Sequence, residues 1–297
     1  MIDDEFIARV AAFAEAHGVS DEPVQCGAGN LGVWRSLSPT AIRPAHYQPV
    51  LCLVLQGAKQ VSVPGRDTLL TKGRFLIVSV DLPTISRVIE ASREKPYLTL
   101  SLPIDMGLLR ELSGEIDLDA PASGQLDAMS SADADKSLVG AMDRLFSLVE
   151  NPAAANVLAP LIMREIHFWL LVGDHGATLR ELCRADSHAA RIARTIGVIR
   201  RDYAARMRIG DLARSAGMSL SAFHDHFKTM TGTTPLQFQK QLRLLEAKRL
   251  ISSGEASVSS AAYRVGYESP TQFSREYART WGASPRSDLP SRIGEPA

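Results

Sequence analysis

Two groups of polar side chains recur about fifty residues apart in the last third of the chain, each at helical spacing. The two groups are Ser221, His224, Asp225 and Lys228, and Thr271, Gln272, Arg275 and Arg279. Such side chains exchange hydrogen bonds with polar groups on a partner surface. No GxSxG, HExxH or P-loop pattern occurs in the sequence, so these groups favour recognition over catalysis.

The two polar groups lie within an internal repeat. At an offset of 49 residues, the matching pairs are Ile209/Val258, Ala213/Ala262 and Gly217/Gly266. At an offset of 50 residues, they are Ser219/Ser269, Phe223/Phe273, Phe227/Tyr277, Gly232/Gly282 and Pro235/Pro285. One structural plan therefore occurs twice, which is typical of a domain built from two similar units.

Each copy of the repeat predicts two helices joined by a tight turn. The alanine lets a second helix approach closely, and the glycine tolerates the positive φ of the turn. A serine then caps the next helix, which buries two aromatic residues at i and i+4 and leaves the polar group exposed. This is the plan of a helix-turn-helix with an exposed recognition face. The alternative is two ordinary helical hairpins, which the alignment of two copies in a basic region disfavours.

The connector between the copies predicts one long helix. Thr234-Pro235-Leu236-Gln237 is a capping box with proline at the first helical position. A helix from there to Ser253 would be about 28 Å long at ~1.5 Å per residue. Successive major-groove faces of B-DNA are ~34 Å apart, so this helix could set the two recognition faces in adjacent grooves.

Charge is divided unevenly along a chain of zero formal net charge. Residues 189–297 contain 17 Lys/Arg and 9 Asp/Glu, a net charge of +8, and residues 1–188 carry −8. A basic half attached to an acidic half is typical of a nucleic-acid-binding unit joined to another domain. The N-terminus lacks the apolar core of a signal peptide, and the three cysteines are scattered, so we expect a cytoplasmic protein.

The first half of the chain predicts a β domain followed by helices. The predicted strands are Val50–Gln56, Gln60–Val63, Phe75–Val80, Ile85–Ile89 and Tyr97–Leu102, and the predicted helices are 3–17, 104–113, 134–150, 156–172 and 177–184. Short strands with frequent turns favour a barrel or sandwich. The expected fold class is α+β, with a barrel over 1–125, a helical linker and dimerisation region over 126–188, and an all-α domain over 189–290. The stretch Gly114–Gln125, at the end of the first range, is predicted to be a linker.

The repeat resembles the DNA-binding domain of the AraC/XylS family of bacterial transcription regulators. The residues that carry the resemblance are Ala213, Gly217-Met-Ser, Phe223, Phe227-Lys228, Gly232, Pro235, Ala247-Lys-Arg-Leu, Val265-Gly266-Tyr-Glu-Ser269, Gln272-Phe273-Ser-Arg275 and Ser284-Pro285. Pro49–Gly57, Val78–Pro83 and Ala91–Tyr97 resemble the cupin-like sensor domain of that family. The resemblance implies a dimeric regulator of double-stranded DNA, with an effector or dimerisation domain at the N-terminus and RNA polymerase as a further partner.

The resemblance also implies roles for individual residues. Base contacts would come from Ser221, His224 and Asp225 on the first recognition helix and from Thr271, Gln272 and Arg275 on the second. Asp225 stands where many relatives carry a basic residue; its carboxylate can accept from cytosine but is repelled by phosphate. Gln272 also belongs to a capping box, and Arg275 could instead pair with Glu268 or Glu276. Phosphate contacts are expected from Lys228, Lys240, Arg243 and Arg279, unless these remain solvated surface charges.

The main alternative is a metal-dependent enzyme built on the barrel. Such sites usually need two histidines and a carboxylate, but His46 is the one histidine between Leu31 and Leu102. We therefore expect no metal, no cofactor and no enzyme activity, and we expect His167 and His175 to be structural. Arg43, His46 and Tyr47, near the expected barrel entrance, are candidates for contact with a small-molecule effector. A barrel that serves for dimerisation alone is a second alternative.

Overall fold

The computed structural model describes residues 2–20, 22–27, 29–116 and 126–290. Its contacts group into two compact units. The first extends to Ala193 and includes His226–Gly232, and the second contains the rest of the described chain from Arg194 onward. The predicted start of the C-terminal domain, residue 189, lies five residues before the start of the second unit.

The first unit begins with helix α1 (Asp4–Ala16). Asp3 caps it by accepting a hydrogen bond of 2.7 Å from the backbone N–H of Phe6, which satisfies one of the free donors at the helix start. The buried face of α1 packs Phe13 edge-to-face on Phe146, with the ring centroids 5.6 Å apart. The predicted helix over 3–17 is therefore confirmed to within one residue at each end.

Ten strands of the described chain form two antiparallel sheets. The strands are β1 (Val24–Cys26), β2 (Leu31–Ser36), β3 (Arg43–Tyr47), β4 (Val50–Gln56), β5 (Ala58–Val63), β6 (Arg66–Thr71), β7 (Arg74–Val78), β8 (Leu82–Glu90), β9 (Tyr97–Pro103) and β10 (Met129–Asp133). The six-stranded sheet has the order β1-β2-β9-β4-β7-β10, and the four-stranded sheet has the order β3-β8-β5-β6. Together they confirm the predicted N-terminal β domain.

The chain passes from one sheet to the other at Gly57. Its φ of 76° is left-handed, and a Cβ there would collide with the carbonyl of Glu90, so only glycine suits the corner. Strand β4 leads into this corner and is buried on both faces from Leu51 to Leu55. A strand covered on both sides is a continuous apolar run, which explains why the sequence predicted the bounds of β4 correctly.

Four helices that lie wholly within the first unit follow β9 in the described chain, and strand β10 lies between the first two of them. The helices are α2 (Met106–Glu115), α3 (Lys136–Ser147), α4 (Pro152–Val172) and α5 (Ala177–Cys183). Strand β10 pairs with β7, with Met129 opposite Val78, so the sheet continues past the predicted boundary at residue 125. The region over 126–188, predicted as a helical linker and dimerisation region, thus also contributes a strand to the sheet. Most of the predicted linker Gly114–Gln125 lies outside the described residues.

Helix α4 has an exposed apolar face near its N-terminal end. Val157 is 67% exposed and Leu161 is 62% exposed, while Ile166, Leu170 and Leu171 near the other end are buried. Among the residues that the structure describes, α4 alone is long and apolar enough to cross a bilayer, a test of length and composition that core helices also pass. Because Arg164 pairs with Glu111 and Glu115 of α2, α4 is tied into the folded unit.

Six helices form the remainder of the described chain. They are α6 (His188–Arg201), α7 (Ile209–Ser215), α8 (Leu220–Thr231), α9 (Pro235–Ser252), α10 (Val258–Arg264) and α11 (Pro270–Trp281). A short 3₁₀ turn, Pro285–Asp288, follows α11. Helix α9 begins at the predicted proline, with the Thr234 side chain accepting from the backbone N–H of Gln237 at 3.4 Å. The predicted all-helical C-terminal domain is confirmed.

Candidate nucleic-acid interface

The first helix-turn-helix consists of α7 and α8. Gly217 has a φ of 63°, which supplies the left-handed turn that the repeat predicted. Phe223 and Phe227 are fully buried, so α8 is fixed by its aromatic face. On its other side Ser221, Asp225 and Lys228 are exposed, whereas His224 is half-buried.

The second helix-turn-helix consists of α10 and α11. Gly266 has a φ of 87°, and the Ser269 side chain caps α11 by accepting from the backbone N–H of Gln272 at 3.4 Å. Phe273 and Tyr277 are fully buried. The opposite face of α11 exposes the four polar residues that the sequence predicted there, namely Thr271, Gln272, Arg275 and Arg279.

Arg275 presents its charge to solvent without a local acid. Neither Glu268 nor Glu276, nor any other carboxylate in the described part of the chain, lies within 4.0 Å of its guanidinium. The alternative that Arg275 forms a surface ion pair is therefore not what the structure shows. Its five donors remain available to a partner with planar acceptors.

Glu276 organises the polar groups beside α11. Its carboxylate accepts from Gln272 Nε2 at 3.1 Å, from Tyr267 Oη at 2.9 Å and from Lys240 Nζ at 3.1 Å. Burial opposes ionisation of Glu276, but these hydrogen bonds outweigh burial and hold the pKa of the carboxyl below its usual range. The Gln272 side chain is thus oriented by Glu276 and not by the start of α11. Lys240, which was expected to contact phosphate, forms an ion pair with Glu276.

Arg243 on α9 faces the protein's own backbone. Its guanidinium donates to the carbonyls of Tyr203, Ala204, Ala205 and Gly266 at 2.7 to 3.1 Å. Burial lowers the pKa of this guanidinium. Four carbonyls occupy its donors, so Arg243 has a structural place against the turn at Gly266 and the segment before α7. The phosphate contact expected of Arg243 stays a prediction.

Gln239 reinforces the same junction one turn earlier on α9. It is 97% buried as a residue, and its Nε2 donates to the carbonyls of Tyr203 at 2.9 Å and Ala205 at 2.8 Å. Of the four residues expected to contact phosphate, Lys228 and Arg279 are exposed, whereas Lys240 and Arg243 are held by protein groups. The exposed pair lies on α8 and α11, one on each recognition helix.

The expected effector residues all lie on β3 in the barrel. By strand alternation Arg43 and Tyr47 share one face and His46 lies on the other. His46 Nε2 is 3.6 Å from Asp81 Oδ1, whereas Tyr47 Oη accepts a hydrogen bond of 2.9 Å from Lys59 Nζ. The structure therefore brings Tyr47, but not His46, together with a buried cation.

The sequence reasoning missed Lys59. It is 8% exposed and lies opposite Leu70 and Val88, which are both 1% exposed. Paired residues of neighbouring strands point to the same side of a sheet, so the Lys59 side chain points into the barrel. Lys59 alternates with Val61 and Val63 along β5 and so lies on the same face of the strand as these two buried valines. This pattern was the one signal in the sequence that the Lys59 side chain points inward.

The barrel histidine does not belong to a cluster of metal ligands. Within the described ranges, no three His, Cys, Asp or Glu side chains are grouped closely enough to hold a metal ion. His167 has a structural place: its Nε2 accepts from the backbone N–H of Asp105 at 2.9 Å, and its Nδ1 lies 2.7 Å from the carbonyl of Met163. Burial lowers the pKa of His167, in keeping with a neutral ring.

Comparisons with known proteins match both halves of the chain. A model of the AraC-type transcriptional regulator N-terminus matches residues 28–178, and a helix-turn-helix domain model matches residues 212–289. The transcriptional activator RhaS of Escherichia coli O139:H28 is 30% identical over 152 residues, which are 51% of this chain and 54% of RhaS. The chain thus spans about half the length of the curated relatives that it matches.

Solved structures of low sequence identity share the fold. ToxT from Vibrio cholerae has a TM-score of 0.52 at 12% identity, over 86% of this chain and 96% of that one. ToxT with a bound unsaturated fatty acid has a TM-score of 0.51 at 11% identity, covering 86% and 92%. Since the N-terminal model covers just over half of the chain and the helix-turn-helix model covers the repeat, this protein belongs to the family of AraC-type transcriptional regulators.

Proposed function

We propose that the protein regulates transcription by binding a specific sequence in double-stranded DNA through α8 and α11. The observation that carries this proposal is the exposed polar face of α11, where Arg275 has no acid beside it and Gln272 is oriented by Glu276. Arginine and glutamine in the major groove bond guanine and adenine, respectively, in bidentate fashion. Thr271 on α11, and Ser221, His224 and Asp225 on α8, complete the base-contacting set.

Affinity is supplied by charges that bind the DNA backbone. Lys228 and Arg279 are the exposed cations of the two recognition helices, and phosphate contacts fix the register of a protein on the duplex. Lys240 and Arg243 act indirectly in this proposal, because Lys240 holds Glu276 and Arg243 holds the junction at Gly266. In this proposal, sequence specificity comes from the base-contacting residues and affinity comes from the phosphate-contacting residues.

The barrel is proposed to bind a small-molecule effector. The ToxT structure with an unsaturated fatty acid supports the idea that a chain of this fold can hold a small molecule. No catalytic step and no resident cofactor are part of the proposal. Elemental analysis of the purified protein tests this point, because one iron, zinc or manganese per chain would instead favour a metal-dependent enzyme.

The protein is proposed to act as a cytoplasmic homodimer, with RNA polymerase as a further partner. The exposed apolar face of α4, formed by Val157, Leu158 and Leu161, fits the same face of a second copy. An isologous contact of this kind buries one patch against itself. Two copies would also place two DNA-binding domains on one operator and add avidity.

The central experiment is selection of duplexes from a random library by the full-length protein. The expected result is an enriched motif that contains two distinct sub-sites. A variant with Arg275→Ala and Gln272→Ala serves as the matched comparison, and the information content of one sub-site is expected to fall. A library that stays random after selection by the folded wild-type protein would refute the proposed DNA-binding function.

A further inference from the structure

A cluster of hydrogen-bond donors lies between the two sheets of the barrel. Trp34 on β2, Cys52 on β4 and Tyr97 on β9 come from the six-stranded sheet, and Tyr47 on β3 and Lys59 on β5 come from the four-stranded sheet. The Trp34 and Tyr97 rings meet edge-to-face, with the centroids 5.2 Å apart. The cluster is therefore a feature of the barrel interior.

Lys59 is the charged member of this cluster, and no described residue supplies it with an acidic partner. Its Nζ lies 4.2 Å from the centroid of the Trp34 ring and 5.6 Å from that of Tyr47. Its one hydrogen bond within the described chain goes to Tyr47 Oη, and no carboxylate of the described residues lies within 4.0 Å. The faces of these two rings attract the ammonium group. An ammonium group has three N–H donors, however, and Tyr47 Oη is an acceptor for just one of them.

Two further donors in the cluster have no acceptor among the described residues. Trp34 Nε1 is buried and makes no hydrogen bond to any of them. The Tyr47 hydroxyl accepts from Lys59, and the described residues offer its own proton no acceptor. Buried donors without acceptors are costly, and a buried charge without a counter-ion is more so. The site thus has donors in excess and one positive charge.

We propose that this cluster binds the carboxylate of a small organic acid, with Lys59 as counter-ion and Tyr47 and Trp34 as hydrogen-bond donors. The inference rests on the proposed function, since it assigns the chemical class of the effector that the barrel receives. Leu70 and Val88 beside Lys59 favour an acid with an apolar body. The partial exposure of Trp34 and Tyr47 places the accessible side of the cluster at these two rings.

The surrounding residues agree with a site for an anion. Cys52 is fully enclosed, and burial raises the pKa of its thiol to about 11, with Lys59 acting in the opposite direction. Burial, together with Tyr47 and Cys52, raises the pKa of Tyr97 well above its usual value. Both groups therefore stay neutral at physiological pH, so neither competes with a ligand as the counter-ion of Lys59.

The test measures thermal stabilisation of the full-length protein by benzoate and hexanoate, each beside its uncharged amide. A bound ligand at 100 times its Kd is expected to raise the Tm by roughly 5 °C or more. The carboxylates should stabilise the wild type, and benzamide and hexanamide should not. Lys59→Met is expected to weaken carboxylate binding at least tenfold. Lys95→Met, a matched change in an exposed loop, is expected to leave binding unchanged.

Two further variants test the same site if Lys59→Met folds poorly. Trp34→Phe keeps an aromatic ring without the N–H, and Tyr47→Phe removes only the hydroxyl. Each is expected to weaken carboxylate binding several-fold. The Tm of ligand-free Lys59→Met adds a readout that needs no ligand. It should equal or exceed that of the wild type, because the variant no longer buries an uncompensated charge.

Several outcomes would overturn the inference. One is equal stabilisation by acid and amide, and another is undiminished binding by Lys59→Met; in both cases a barrel effector would stand without an anion site. Failure of every carboxylate to stabilise the wild type would also overturn it. So would a loss of several degrees in the Tm of ligand-free Lys59→Met, which would make Lys59 a structural cation held by Trp34. None of these outcomes affects the duplex selection that tests DNA binding.

Discussion

Arg243 Nη1 donates a hydrogen bond of 2.9 Å to the carbonyl oxygen of Gly266. This bond joins the helix shared by both helix-turn-helix units to the turn of the second unit. The same guanidinium bonds the segment Tyr203–Ala205, which precedes the first unit. Side-chain hydrogen bonds from α9 therefore hold both the turn of the second unit and the segment that leads into the first unit.

Arg243→Ala is expected to destabilise the DNA-binding domain by ~2–4 kcal/mol, because it leaves several carbonyls without a donor. Denaturant titration measures the free energy of unfolding of this domain in the wild type and in the variant. Arg279→Ala is the control, since its exposed side chain should affect DNA affinity and its salt dependence but not stability. If Arg243→Ala keeps full stability and loses only salt-dependent affinity, Arg243 is a phosphate contact after all.

Gly266→Ala is expected to destabilise the protein by at least ~2 kcal/mol more than Gly282→Ala. Both glycines have a positive φ, 87° and 73°, so both changes introduce similar backbone strain. A Cβ at Gly266 would collide with the carbonyl of Ala204, whereas nothing lies within 4 Å of a Cβ at Gly282. Thermal unfolding of the two variants separates the collision from the strain. Equal losses of stability in the two variants would mean that the backbone at Ala204 moves away from the new Cβ at little cost.

Arg275→Ala and Lys228→Ala are expected to affect DNA binding in different ways. Arg275→Ala should cost ~1–3 kcal/mol on the best operator and relax the choice of one base pair. Lys228→Ala should weaken good and poor sites alike and lower the salt slope by about one unit. Titration of matched and single-mismatch duplexes at several salt concentrations measures both effects. Unchanged sequence preference in Arg275→Ala would remove it from the base-contacting set.

Acid should weaken the structure around α11 through Glu276. The pKa of this carboxyl lies below its usual value of about 4.5, so its contribution to stability is complete above that value and disappears as the pH falls through the folded-state pKa. The difference in unfolding free energy between wild type and Glu276→Gln should therefore shrink between about pH 6 and about pH 3. Exposed Glu268→Gln is the control, and a pH-independent difference for Glu276→Gln would contradict the assignment.

Leu161→Arg is expected to turn the proposed dimer into a monomer. The change places a charge within the apolar face of α4, where Leu161 is 62% exposed, and a buried unpaired charge opposes association. Sedimentation of the two species at micromolar concentration distinguishes them. Leu69→Arg, at a position 52% exposed on β6, should leave the dimer intact. Dissociation by Leu69→Arg alone would place the interface elsewhere.

The repeat made the C-terminal domain predictable from sequence. The spacing of glycine, serine and aromatic residues is local, so the turns at Gly217 and Gly266 and the buried face of each recognition helix followed from it. The long-range partners of these elements did not follow. Nothing in the sequence places Arg243 against Gly266, or Glu276 between Lys240 and Tyr267, because these contacts depend on how the helices pack.

The barrel was less predictable for a related reason. Strand β10 is short and mostly polar, and it pairs with β7 across about fifty residues of sequence, so its own residues carry little β preference. Lys59 belongs to an alternating strand in which a lysine ordinarily faces solvent. Its inward direction becomes evident only from the register that sets it opposite Leu70 and Val88.

The continuity of α9 from Pro235 to Ser252, together with the anchoring of Gly266, has a consequence for promoter architecture. Inserting one base pair between the two sub-sites would rotate the second by about a tenth of a turn around the duplex. A stiff connector cannot follow that rotation without losing one set of contacts. Under the proposed function, the operators of this protein should therefore differ in individual bases far more readily than in the number of bases between the sub-sites.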